Sequence, residues 1–144
     1  MSERRTIVAV ACGAAVGGVL RLLVTQAMTT RGGAPFGYDA TLLVNLTGSL
    51  LLGMVLDVAQ TDAAFTPFWR IFLTTGLIGG YTTFSTFSFD TLELAARGFA
   101  FTAVLYAVGS VVLGIAAVYL GVAAARATRA AASHRSTRRE NGSR

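Results

Sequence analysis

What most constrains this chain is the length of its uncharged apolar runs. Four of them, at about residues 6–28, 40–60, 68–95 and 100–125, approach or exceed the ~20 residues that an α-helix needs to cross a bilayer. The 12 basic and 7 acidic residues fall mostly at the chain ends and in the short joints between the runs. With 53% of 144 residues apolar, a water-soluble fold would expose far too much apolar surface, because a domain this small has a high ratio of surface to volume. The mean hydropathy of +0.61 agrees. The sequence therefore predicts an all-α integral membrane protein with four transmembrane helices, multi-pass in the cell inner or plasma membrane, and argues against disorder.

Charge and composition exclude several functions. The net charge is +5, every basic residue is arginine, and six of the twelve arginines lie in residues 126–144, beyond the last apolar run. Basic flanks on an apolar chain read as topology determinants, so no nucleic-acid partner is expected. The single cysteine, Cys12, rules out an internal disulfide framework and a cysteine-based zinc site, and the single histidine, His134, lies in the polar tail. No nucleophile–base pair or metal cluster is visible, so an enzyme is not expected. Arg4 and Arg5 precede an apolar core in the manner of a signal peptide, but the run continues through Arg21 to Met28 without a convincing cleavage site.

The joints are short. Residues 29–39 carry turn residues, Thr61-Asp62 precedes Pro67, and Arg97-Gly98 separates the last two runs, so neighbouring helices are expected to pack as antiparallel hairpins. This gives a channel-sized domain over 1–125 and a basic C-terminal tail over 126–144, expected to be disordered because apolar periodicity ends by Ala132. Glycines recur inside the spans. Gly13, Gly17, Gly18, Gly48, Gly53, Gly109 and Gly114 are expected to permit close helix contact, the usual membrane packing device.

Polar groups inside a membrane helix are costly unless they face protein, water or a transported ion. Arg21 lies about 10 Å from the end of the first span and Asn45 about 8 Å into the second, so the two are at matching depths. Each also admits a plainer account, Arg21 snorkelling to the interface and Asn45 bonding a neighbouring backbone. The third span reads Gly76-Leu77-Ile78-Gly79-Gly80-Tyr81-Thr82-Thr83-Phe84-Ser85-Thr86-Phe87-Ser88-Phe89-Asp90. Its glycine pair falls near mid-membrane, where a helix beside a hydroxyl-rich run can open and present carbonyls to a cation or amides to an anion. Phe84 and Phe87 share a helical face, and positive ring edges aimed at a narrow path favour a small anion. The alternative is an aromatic packing stripe whose hydroxyls bond back to their own helix. Tyr106 and Ser110, four residues apart, extend the polar track along the fourth span.

These residues together resemble the Fluc, or CrcB, family of fluoride channels. Gly13 to Arg21 is similar to its Gly-rich stretch ending in Arg, Val44-Asn45-Leu46-Thr47-Gly48-Ser49 to its Val-Asn-x-x-Gly-Ser motif, and Gly79 to Ser88 to its third-helix signature. The resemblance implies an antiparallel, dual-topology dimer with two fluoride pathways at its interface. It implies fluoride contact at Asn45, Phe84 and Phe87, a path lined by Ser85, Thr86, Tyr106 and Ser110, and a vestibule organised by Arg21. It further implies a central structural sodium ion held by the carbonyls of Gly79 and Thr82 at a break in the third helix. The expected function is passive exit of cytoplasmic fluoride, which lessens its toxicity. Asp90 stands where the resemblance leads one to expect glutamate, and Gly114 replaces a hydroxyl found in some members.

Two other readings compete. A four-span drug/proton antiporter needs an acid in the first helix, and residues 6–28 contain none. A non-transporting scaffold has no need of Asn45 and the Phe84/Phe87 pair. Four spans put both termini and the joint between helices two and three on one side, with nine arginines there against Arg31 and Arg97 on the other. Discounting the last four tail arginines leaves five to two, which predicts termini mainly in the cytoplasm. An antiparallel partner is then either the same chain inserted the other way or an oppositely oriented paralogue.

Overall fold

The computed structural model describes residues 1–30, 38–62 and 65–142, with side chains described as far as Ala132. The turn read at residues 29–39 therefore lies largely outside the described residues, as do positions 63 and 64 and the side chains of the tail beyond Ala132. All regular structure among the described residues is helical. The elements are α1 (Glu3–Thr30), α2 (Tyr38–Thr61), α3 (Pro67–Ile71), a π-helical segment (Phe72–Ile78), α4 (Gly79–Tyr81), α5 (Phe84–Ala96) and α6 (Ala100–Gly142). Three helices, Glu3–Thr30, Tyr38–Thr61 and Ala100–Ala132, are long and apolar enough to cross a membrane. Their outward faces carry Leu, Val and Phe side chains such as Leu22, Phe101 and Val112, each more than half exposed, as a lipid solvent requires.

Local chemistry sets the ends of the short elements. Thr66 caps α3 by accepting from the Trp69 amide, and Pro67 follows at the first helical position, where its missing N–H costs nothing. At the other end, α5 stops at a tight reversal. Gly98 adopts φ 88°, its N–H bonds the Ala95 carbonyl at 3.0 Å, and the Phe99 N–H bonds the Leu94 carbonyl at 3.0 Å. This is the paired closure of a helix C-terminus around a left-handed glycine, and it turns the chain directly into α6.

Two close helix contacts organise the bundle. On one side α1 packs on the π-helical segment and α4, where a Cβ on Gly76 would stand 2.9 Å from the Gly13 Cα and one on Gly80 2.7 Å from the Ala14 Cα. On the other, α2 packs along α6 through Gly53 and Gly121, each pressed against the partner helix backbone. Gly13, Gly17, Gly48 and Gly53 thus serve close approach, as expected. Gly18 and Gly109 do not, since a Cβ on either meets nothing within 4 Å, and Gly114 makes only ordinary contact with Ser49.

The expectation that the third stretch opens at its glycine pair needs correction. Gly79 and Gly80 are helical, and the interruption lies two residues later, where Thr82 (φ −73°, ψ 160°) and Thr83 (φ −146°, ψ 118°) are extended. Gly80 is used for contact with α1, whereas Thr83 is a natural N-cap and restarts the helix at Phe84. At the far end of the bundle, α6 continues past residue 125, and Arg126 and Arg129 return to α2. Arg126 Nε donates to Asp57 Oδ1 at 3.0 Å, and Arg129 pairs with Asp57 Oδ2 and with Thr61.

Candidate functional site

The interruption between α4 and α5 is built by side chains that replace helical hydrogen bonds. Thr83 Oγ1 accepts from the Thr86 N–H at 3.2 Å and donates to Thr86 Oγ1 at 3.0 Å, capping α5. From α2, the Asn45 amide pairs with both backbone groups of Thr83: Oδ1 accepts from its N–H at 2.8 Å and Nδ2 donates to its carbonyl at 3.0 Å. Two residues along α2, the hydroxyls of Thr47 and Tyr81 are 2.9 Å apart. Gly48 leaves room for the Thr82 methyl group, which a Cβ there would strike. The Asn45-to-Gly48 stretch is a cradle for Tyr81, Thr82 and Thr83.

Beside this cradle lies a cavity of about 360 Å³ lined by Asn45, Ser49, Thr74, Gly79, Thr82, Thr83, Phe84, Phe87 and Ser110, among others. No charged side chain lines it. Ser110 Oγ is buried and has no hydrogen-bond partner among the described residues, so a donor of the cavity wall is left for whatever occupies the space. Phe84 is 80% exposed, and its ring lies 5.9 Å from that of Phe87 at 42°. Phe87 in turn lies 5.6 Å from Tyr106.

The remaining sequence-predicted residues divide. Arg21 and Thr86 line a second cavity of about 230 Å³ with Thr25, Thr41 and Thr83, so Arg21 does not share a cavity with Asn45 but with the other side of Thr83. Ser85 is engaged at the cap, with its hydroxyl 3.3 Å from Thr83 Oγ1, and lines neither cavity. Tyr106 sits one ring behind Phe87 and donates to Asp90 Oδ2 at 3.3 Å. Asp90 is 4% exposed, so the acid is held inside the bundle. For Ser88 the plainer account holds, since its hydroxyl bonds back to the Phe84 carbonyl at 2.9 Å.

Sequence reasoning missed Thr83, which lines both cavities, and Asp57, which is 7% exposed. The signal for Thr83 was its residue type just ahead of Phe84, that of a helix N-cap. For Asp57 it was an acid inside the second apolar stretch with arginines just after the fourth.

Residues 8–122 match the family described as CrcB-like protein, Camphor Resistance (CrcB). The chain belongs to the CrcB-like family. Curated relatives of this CrcB-like chain include a protein of Granulibacter bethesdensis, 43% identical over 99 residues that cover 69% of this chain and 77% of the relative. Another, from Rhizobium meliloti, is 43% identical over 73% of this chain and 83% of its own, and one from Roseiflexus is 44% identical over 72% and 83%. Each of the three is named fluoride-specific ion channel FluC. Every candidate residue from Arg21 to Ser110 falls within the CrcB-like match, whereas Arg126 and Arg129 lie beyond it.

Proposed function

We propose that this CrcB-like chain forms a fluoride-selective channel through which cytoplasmic fluoride leaves passively, lowering its toxicity. The observation that carries the reading is the 360 Å³ cavity, which offers donors without fixed charge: the Asn45 amide, the orphan Ser110 hydroxyl and two phenylalanine rings at the start of α5. A helix N-terminus carries partial positive charge, and ring edges are positive, so a small anion is stabilised without being trapped. The relatives named as fluoride channels give independent support.

In this reading α1, α2 and α6 span the membrane, and α3, the π-helical segment, α4 and α5 make a fourth, discontinuous span. Extended backbone and an exposed Phe84 beside a polar cavity are not tolerated against lipid, so a second, antiparallel copy or an oppositely oriented paralogue covers them. Termini mainly in the cytoplasm follow from the arginine count. The residues also fit a sodium ion. Gly79 is exposed, Thr82 is extended, both line the cavity, and carbonyl oxygens suit a hard cation. When bound, such an ion supplies fixed positive charge at the dimer centre. Ser85 and Thr86 act through the cap, Tyr106 supports the Phe87 ring, and Arg21 sets the electrostatics of the second cavity.

Efflux from liposomes holding the purified chain, with any required partner, tests the proposal. Fluoride should pass far faster than chloride with no energy source. Equal rates for the two anions overturn it.

A further inference from the structure

We infer that Asn45 is a positioning residue that keeps the Gly79 carbonyl free, an inference resting on the cation reading above only for what that carbonyl then holds. In an uninterrupted α-helix the Thr83 N–H would bond the carbonyl of Gly79, four residues earlier. Here that N–H donates instead to Asn45 Oδ1 at 2.8 Å. One step on, the Thr86 N–H, which continuous winding would aim at the Thr82 carbonyl, donates to Thr83 Oγ1 at 3.2 Å. Two side-chain oxygens therefore capture the N–H groups that would otherwise occupy the carbonyls of Gly79 and Thr82.

The capture by Asn45 is two-pronged. Its Nδ2 donates to the Thr83 carbonyl at 3.0 Å, so one side-chain amide holds both polar groups of a single residue across 38 positions of sequence. Asn45 Nδ2 carries two hydrogens, and only one is spent on Thr83, which leaves the other for the cavity that Asn45 lines. Phe84 follows Thr83 directly, so the same clasp sets the direction in which the first ring leaves the backbone. Thr47 and Gly48 fix the clasp along α2 through Tyr81 and Thr82. Asn45 thus orders the opening in the chain as well as lining what the opening exposes.

The test uses full-length protein in micelles and compares the unaltered chain with Asn45→Ala and Ser110→Ala. Hydrogen exchange at the Thr83 amide is read by NMR after 15N-threonine labelling, and the sodium concentration giving half of the sodium-dependent rise in Tm is measured alongside. Asn45→Ala should speed Thr83 exchange ~10-fold and raise the sodium midpoint ~10-fold, the effect of losing about one hydrogen bond. Ser110→Ala lines the same cavity without touching Thr83 and should change neither by more than ~2-fold. Asn45→Asp keeps the shape and the accepting oxygen, so Thr83 exchange should stay within ~3-fold of the unaltered chain even if Asn45→Ala does not fold. Unchanged Thr83 exchange in Asn45→Ala, or ~10-fold acceleration in Asn45→Asp, overturns the clasp. Faster exchange in Asn45→Ala with no sodium effect in any chain upholds the clasp and overturns the cation reading alone.

Discussion

Gly17 and Gly18 are neighbours on α1 with opposite surroundings, and alanine at each should therefore act in opposite directions. A Cβ at Gly17 would lie 2.7 Å from the Tyr81 nitrogen and 3.0 Å from the Leu77 carbonyl carbon, and closer still to the Leu77 oxygen. Those are backbone atoms, which have no rotamer to escape into, so α1 must part from the start of α4 by roughly 1 Å and lose dispersion contact along the seam. Overpacking of this kind costs about 1–3 kcal/mol. For a chain of this size that is a fall in Tm of roughly 3–10 °C. At Gly18 a Cβ meets nothing within 4 Å, and replacing glycine by alanine in a helix gains up to about 1 kcal/mol. Gly18→Ala should melt at or a few degrees above the unaltered chain. Thermal unfolding followed by circular dichroism in one detergent decides the matter. Gly17→Ala melting as high as the unaltered chain, or both variants falling equally, would refute the packing argument.

Two further outcomes are expected. Asp57 is 7% exposed between Arg126 and Arg129, whose side chains are 70% and 38% exposed. Asp57→Asn should lower stability by about 1–2 kcal/mol, less than for a fully buried pair because both arginines can turn to water, and an unchanged Tm would remove the clamp from the account. For orientation, a cysteine introduced at Ser143 in a Cys12→Ala background should label mainly from the cytoplasmic side when this chain is expressed alone. Near-equal labelling from both sides, with robust fluoride flux from this chain alone, defeats the idea of a paired partner.

The apolar spans were legible because bilayer thickness imposes a length, and length is visible in sequence without any knowledge of contacts. The Phe84/Phe87 pair was legible for a similar reason, since spacing along a helix is local. The position of the interruption was not. Glycines draw attention as places where a helix opens, yet Gly80 is glycine because Ala14 of another helix leaves no room for a side chain. What opens the chain is an amide 38 residues away, and no local pattern reports it. The ring of contacts around Asp57 was hidden likewise, by a separation of 69 residues and by a domain limit drawn where hydropathy falls rather than where the helix ends. Ser85 and Thr86 looked like path-lining hydroxyls beside Phe84, but a helix that restarts at Phe84 engages both of them with its N-cap residue.

The π-helical segment Phe72–Ile78 gives this part of the chain a phase as well as a shape. Wider winding stores a surplus residue relative to α-helical turns. Since each residue of an α-helix advances the chain by about 100°, deleting one position and letting the segment rewind would rotate everything after it by that angle. Gly80 would face away from Ala14, and Thr83 would face away from Asn45. The segment can therefore absorb exchange of one apolar side chain for another more readily than any change in its number of residues. In this stretch, counting matters more than chemistry.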